Sequence, residues 1–172
     1  MRSRLSRSCG VKGDFVDKIK AIALDIDGVL TDGNFYWGFN GEELKKFSFA
    51  DIMGVSLGRQ AGLIFALISG EDNTLIDRFA DKMGIVDIYR GSKDKAAALN
   101  DFSQKYDLEL SQICFMGDDV NDLKALALAG LSVAPANAHH KVKEQVKLVT
   151  KKSGGQGAVR ELVDLILASK ND

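Results

Sequence analysis

"ALDIDGVLTDG", residues 23–33, places Asp25, Asp27 and Asp32 in a stretch that otherwise reads as a buried strand running into a turn. Carboxylates beside an apolar core are costly unless a cation or hydrogen-bond donors meet them. The apolar lead-in "IKAIAL", residues 19–24, predicts a strand that ends by delivering Asp25 and Asp27. Alternate residues of an extended chain share a face, so both side chains are expected on one side. What these acids do is decided at the ends of the other strands.

Five more short apolar runs follow: "IFALIS" (64–69), "IVDIY" (85–89), "ICFMG" (113–117), "LSVA" (131–134) and "KLVT" (147–150). Most are continuous rather than alternating, the pattern of a parallel sheet covered on both faces. Helical stripes lie between them. Leu75, Ile76, Phe79 and Met83 share one face, as do Leu99, Phe102 and Tyr106. "VNDLKALALAG" stops at Gly130, and Val159, Leu162, Val163 and Ile166 form the stripe of a closing helix. The expectation is an α/β fold with an open, Rossmann-like parallel sheet flanked by helices.

One segment breaks the rhythm. "GNFYWGFNGEELKKFSF" has β-type residues on both sides of a turn-rich centre and predicts a β-hairpin over 34–49, inserted after the first strand. With one short helix it fills the span from Asp25 to Ser69. One helix and one strand fill the span from Ser69 to Lys95, so neither gap holds a cap domain. The chain is expected as a flexible basic tail, 1–17, and a single capless domain, 18–172.

A length of 172 residues suits one hydrophobic core. A net charge of −1 and no basic stripe argue against a nucleic-acid partner. No run approaches the roughly 18 apolar residues that cross a bilayer. Cys9 and Cys114 sit in unlike contexts, a polar tail and an apolar run, which fits a reducing cytoplasm without a disulfide.

Ligands of open parallel sheets bind outside the carboxyl ends of the strands. Those ends carry Asp25 and Asp27, then Ser69 and Gly70, then Asp118 and Asp119 with Asp122 one turn on. Lys93 and Lys95 follow Gly91 at a helix start. Facing carboxylates repel and raise one another's pKa. A hard divalent ion such as Mg²⁺ relieves that, and it accepts carboxylates, waters and phosphate oxygens together. Serine, lysine and backbone N–H groups suit a phosphoryl group. The parts describe Mg²⁺-dependent phosphoryl transfer with an aspartate as candidate nucleophile.

Other polar residues have plainer readings. Asp32 shapes the turn into the hairpin. Cys114 is a small hydrophobe, Lys93 a solvated residue, and His139–His140 a pair with no visible metal partners. Two readings stay open for Lys45 and Arg78, surface ion pairs or substrate contacts. Glu71 either favours a helix start or touches substrate.

"DIDGVLTDG" resembles the first motif, DxDGVxTDG, of the haloacid dehalogenase superfamily of phosphohydrolases. Ser69, Lys95 and "GDDVND" (117–122) stand where that superfamily has its remaining motifs. Over residues 18–168 the chain is similar to the 3-deoxy-manno-octulosonate 8-phosphate phosphatases and the related nonulosonate 9-phosphate phosphatases. "NGEELKKF", the Gly91-to-Lys95 spacing, "GLSVAPANAH" and "GGQGAVRE" carry that similarity.

The resemblance implies that Asp25 forms an aspartyl-phosphate and that Asp27 serves as general acid, then base. It implies Mg²⁺ on the Asp25 carboxylate, the Asp27 carbonyl and Asp118, supported by Asp119 and Asp122. Ser69, Gly70 and Lys95 would hold the phosphoryl group, with Gly28, Lys45, Glu71, Arg78 and Arg160 around phosphate and sugar. It further implies a homotetramer built through the hairpins, with "SGGQGAVRE" reaching a neighbouring subunit's site and Arg160 meeting a substrate carboxylate. The substrate would be a 2-keto-3-deoxy sugar acid phosphate, of the kind that leads to lipopolysaccharide or sialic-acid sugars.

One departure bears on the sugar. The eight-carbon enzymes usually read TGR at the second motif; this chain reads Ser69-Gly70-Glu71, and the nine-carbon enzymes carry a glutamate there. A receiver-type phospho-switch is the alternative of another class, because it also gathers acids, a hydroxyl and a lysine around Mg²⁺. Its acids lie on separate strands and it has no aspartate two residues past the phosphorylated one, so Asp27 favours an enzyme.

Overall fold

In this computed structural model, which describes residues 16–170, every one of the six apolar runs forms a strand. In chain order the strands are β1 (Ala21–Leu24), β2 (Tyr36–Trp37), β3 (Glu43–Leu44), β4 (Ile64–Ile68), β5 (Asp87–Tyr89), β6 (Ile113–Met116), β7 (Leu131–Ala134) and β8 (Leu148–Val149). Six of them pair in parallel in the order β5-β4-β1-β6-β7-β8, while β2 and β3 form a separate antiparallel pair. The predicted α/β class therefore holds, and no further folded unit lies between β1 and β4.

Alternate residues of each central strand enter two cores, as the pleat requires. Ile22, Leu24, Phe65, Leu67, Cys114 and Met116 face one side. There they pack on helices α1 (Phe49–Gln60), α2 (Leu75–Met83) and α6 (Ala158–Ser169). Ala21, Ala23, Ala66, Ile68, Ile113 and Phe115 face the other, against α3 (Lys95–Lys105), α4 (Leu123–Leu128) and α5 (His140–Lys143). Two-sided burial explains why these runs are continuous rather than alternating. The stripe Val159, Leu162, Val163 and Ile166 is buried as predicted.

Helix α1 is longer than the short helix expected. It hides from a hydrophobic-period reading because Gly54 and Gly58 occupy its packed face. A Cβ on Gly54 would come within 2.8 Å of the Arg160 Cα, so the glycine is what lets α6 lie this close. The hairpin pairs Tyr36 with Leu44 and Trp37 with Glu43, with an outer bridge between Thr31 and Phe47, so it ends before residue 49. Ser48 accepts the Ala50 N–H at 3.2 Å and caps α1, which turns Phe49 from a strand residue into the first residue of the helix.

Of the expected tail, residues 1–15 lie outside the described residues, as does Cys9. Val16, at its far end, is only 1% exposed and packs in the first core, so the fold is engaged before residue 18. No described helix is long and apolar enough to cross a membrane.

The sheet sets the level of the site. Leu24 pairs with Leu67 on one side and Met116 on the other. Asp25, Ser69 and Asp118, one or two residues past those positions, therefore emerge at one edge. The chain leaves β1 for β4 and β5 on one flank and fills β6, β7 and β8 on the other. That reversal is the switch point where such sheets bind ligands.

Candidate active site

Past Leu24 the backbone of Asp25 still donates to the Met116 carbonyl, 3.0 Å away, which fixes Asp25 at the mouth of the β1–β6 seam. Asp27 is not on the strand. The chain turns after β1, with the N–H groups of Leu30 and Thr31 both donating to the Ile26 carbonyl. The two aspartates converge through this turn and not through the strand alternation expected from sequence. Gly28 permits it, with φ +85°, and a Cβ there would collide with the Asp118 carboxylate. Thr31 Oγ1 accepts from Gly28 N and Gly33 N, 3.2 Å each, and Asp32 accepts from Asn34 N and the Tyr36 hydroxyl. Asp32 is thus the turn residue its position predicted.

A cavity of about 450 Å³ opens here, with Asp25, Asp27, Ser69, Lys95 and Asp118 among its walls. Gly70, Glu71 and Asp119 line it too. Ligand oxygens of Asp25, Asp118 and Asp122 all lie within 4.8 Å of one another. Lys95, the first residue of α3, sits between two of these acids, 2.8 Å from Asp25 and 2.6 Å from Asp122, with a side chain 3% exposed. Burial and the neighbouring Asp122 charge push the Asp25 carboxyl well above the usual range, against the pull of Lys95. Burial, again with Asp122, pushes Asp118 up to about 6. For Lys95, burial works against the charge, but Asp25 and Asp122 outweigh it and the ammonium is held more firmly than usual.

The acids differ in what they have left to offer. Asp122 gives one oxygen to Lys95 and the other to the N–H groups of Asp118 (2.9 Å) and Asp119 (3.2 Å). It orients the loop and the lysine. The Asp119 carboxylate accepts the Val120 N–H at 2.7 Å and stands exposed at the rim. Asp25 and Asp118 remain turned into the cavity. Three crowded carboxylates against one lysine fit a hard divalent cation, which accepts such oxygens. Ser69, 2% exposed, accepts from Glu71 N at 3.1 Å beside Gly70.

Three expected site residues stand elsewhere than over the phosphate position. Lys45 lies behind two wall residues, its Nζ 2.6 Å from Asp27 and 3.0 Å from Glu71, and lines the neighbouring groove instead. Arg78 lies outside this cavity, in a separate groove of about 390 Å³ with Phe49, Phe79 and Lys82. Arg160 is also outside it, its Nε donating to Asp164 (2.8 and 2.9 Å) because the two lie one turn apart on α6. The segment expected to reach a neighbouring subunit is seated on its own chain. Gly155 N donates to the Val29 carbonyl and Gly154 N to Asn137 Oδ1, and a Cβ on Gly154 would overlap the Gly28 carbonyl. Lack of side chains lets this strap lie directly on the turn after β1.

Sequence reading misses Phe35, Ser92 and Asn121, which also line the cavity; Lys93 is exposed, as expected, and stands at the cavity edge. Only the Gly91-to-Lys95 spacing hinted at Ser92 and Lys93. His139 and His140 stack at 4.3 Å, and the His139 backbone N–H holds the Asp118 carbonyl at 2.8 Å. They have no part in a metal group among the described residues. Cys114 is fully buried, and burial drives its thiol far from ionisation.

A family model described as haloacid dehalogenase-like hydrolase matches residues 39–162. The chain is 37% identical over 154 residues to the 3-deoxy-D-manno-octulosonate 8-phosphate phosphatase KdsC of Salmonella typhi, covering 90% of this chain and 82% of that protein. The enzyme of the same name from Escherichia coli K12 is 36% identical over the same shares. Among solved structures, the Moraxella catarrhalis 3-deoxy-D-manno-octulosonate 8-phosphate phosphatase, in complex with magnesium, phosphate and KDO, superposes with a TM-score of 0.89 at 38% identity, covering 91% and 90% of the two chains. The cobalt-bound Haemophilus influenzae deoxy-D-mannose-octulosonate 8-phosphate phosphatase gives 0.88 at 35% identity, covering 91% and 92%.

Proposed function

The chain belongs to the haloacid dehalogenase-like hydrolases, and from that premise we propose a Mg²⁺-dependent phosphatase acting on a 2-keto-3-deoxy sugar acid phosphate, in first place 3-deoxy-D-manno-octulosonate 8-phosphate. The observation that carries the reading is the meeting of Asp25, Asp118 and Asp122 within 4.8 Å beside buried Lys95. Asp25 and Asp118, with the Asp27 carbonyl, would hold Mg²⁺, and Asp119 and Asp122 would support them. The bound ion supplies charge neutralisation for the phosphoryl oxygens.

The residues then divide the work. An Asp25 carboxylate oxygen attacks phosphorus, the bond from phosphorus to the sugar oxygen breaks, and Asp27 gives that oxygen its proton. Water next attacks the aspartyl-phosphate. Asp27 takes the proton of the water, the bond between phosphorus and Asp25 breaks, and phosphate and free Asp25 result. Ser69 and the Gly70 N–H orient the phosphoryl oxygens, and Lys95 offsets their charge. Positioning and charge stabilisation of this kind carry most of phosphoryl transfer.

Glu71 on the cavity wall supports a second reading, a nine-carbon nonulosonate 9-phosphate as substrate. A phosphate-release screen with Mg²⁺ over both sugar acid phosphates separates the two. The eight-carbon substrate is expected to have the higher kcat/KM by about tenfold, a step of 1.4 kcal/mol in transition-state binding. A higher value for the nine-carbon substrate favours the second reading, and phosphate release from neither contradicts both.

The hairpin supports self-association. Trp37 is 78% exposed and Leu44 56%, and Phe49 at the adjoining start of α1 is 79% exposed, an apolar load that single chains in water rarely carry. We read these residues as the seam of a homotetramer, whose assembly would bring Arg78 and Arg160 near other subunits. Light scattering of the purified protein is expected to give the mass of four chains; the mass of one chain contradicts the assembly. A reduced, buried Cys114 fits a cytoplasmic location.

A further inference from the structure

Strand β3 is followed at once by a lysine that does not behave as a surface residue. The Lys45 side chain is 1% exposed, and its Nζ donates to both carboxylate oxygens of Asp27, at 2.6 and 2.8 Å, and to Glu71 Oε2 at 3.0 Å. Those three bonds use all the N–H donors an ammonium has. The Phe35 ring covers the group, its centroid 5.3 Å from Nζ. Asp27, on a turn with no strand to fix it, is otherwise met by the Thr31 hydroxyl at the longer distance of 3.4 Å.

A lysine is a compact charge on a flexible four-carbon stem, so one partner does not fix where it points. Glu71 supplies a hydrogen-bonded second anchor from the far side, beyond β4, while Glu43 on the hairpin itself lies at the longer distance of 3.7 Å. The ion triad thereby ties together three separate segments: the turn after β1, the hairpin, and the loop after β4. Glu71 keeps a side chain 40% exposed but aims its oxygen at Lys45, not freely into the cavity.

We propose that Lys45 is a positioning residue that sets the Asp27 carboxylate for proton transfer, and that Glu71 serves turnover by anchoring Lys45 rather than by choosing the sugar. This rests on the reading of Asp27 as the acid and base. Hydrolysis of the aspartyl-phosphate is the same reaction whichever alcohol has left. A loosened Asp27 therefore slows this second step for every substrate, including one with no sugar. A sugar contact would act only on sugar substrates.

The test compares the sugar acid phosphate with p-nitrophenyl phosphate in the Mg²⁺-loaded protein. A positioned acid–base group contributes about 10²–10⁴-fold, so Glu71→Arg is expected to cost at least about tenfold in kcat on both substrates, with no rise in KM. Acid-quenched phosphoenzyme should rise with p-nitrophenyl phosphate, whose leaving group needs no proton from Asp27. Glu71→Gln, which keeps an oxygen for Lys45, is expected to retain most of the turnover. Lys45→Met should lose as much as Glu71→Arg, and the double variant no more than Lys45→Met alone, because the two act as one unit.

If Glu71→Arg alters only the sugar acid phosphate and leaves p-nitrophenyl phosphate untouched, Glu71 is a sugar contact and the inference is overturned. Asp27→Asn separates the two levels. If it turns over normally, the acid–base reading itself fails. If it is inactive while Glu71→Arg and Lys45→Met work normally on both substrates, that reading stands and the positioning triad is wrong. Should Lys45→Met not fold, the part-exposed Glu71 variants alone decide between these outcomes.

Discussion

Asp25→Asn is expected to reduce turnover by about 10⁴-fold or more, the scale on which removal of a covalent nucleophile acts. The amide cannot form the acyl-phosphate, because its nitrogen and neutral oxygen are poor nucleophiles. The fold should survive. Asparagine keeps the shape of a side chain that is 5% exposed, and it removes a charge that burial and Asp122 both oppose. Lys95 keeps its bond of 2.6 Å to Asp122. Thermal unfolding is therefore expected to shift by no more than a few degrees while phosphate release disappears. A variant with a tenth of normal activity would remove Asp25 from its role.

Lys95→Met is expected to damage both stability and activity. The ammonium is 3% exposed and is the shared partner of Asp25 and Asp122, the latter wholly buried. Deleting one side of such a buried group leaves uncompensated charge, at a cost of about 3–5 kcal/mol. In a domain of this size that corresponds to a fall in Tm of roughly 6–20 °C. The loss should shrink in acid. Asp25 already binds a proton more readily folded than unfolded, and without Lys95 that preference grows, so lowering the pH favours the folded variant. Turnover should fall by about 10²–10³-fold, as when a preorganised charge is taken from a transition state. Denaturant unfolding at pH 5 and 8 checks this. An unchanged unfolding midpoint at pH 8 contradicts the account of Lys95.

How much of this was legible in the chain follows from what each feature depends on. Strands buried on both faces leave a local mark, so "AIAL", "IFALI" and "ICFM" read directly, and their ends led to Asp25, Ser69 and Asp118. Helix α1 left none. Its packing comes from the missing side chains of Gly54 and Gly58, which a hydrophobic period does not register. The convergence of Asp25 and Asp27 was read correctly for a partly wrong reason, since the turn at Gly28 does what strand alternation was expected to do. The Lys45–Glu71 pair spans 26 positions and depends on where a hairpin folds back, so no local pattern announces it. Arg78 and Arg160 illustrate the converse. Their residue type suits a sugar acid, yet within this chain each lies away from the cavity.

The central claim is that Asp25 becomes the phosphorylated group. Turnover of the Mg²⁺-loaded protein can be quenched in acid and the acyl-phosphate reduced with borohydride, which converts a phosphorylated aspartate to homoserine. Peptide mass spectrometry then locates the change. Homoserine at position 25, absent without substrate and absent in Asp25→Asn, is the predicted result. Full turnover with an unmodified Asp25, or with the modification at Asp27 or Asp118, would contradict it.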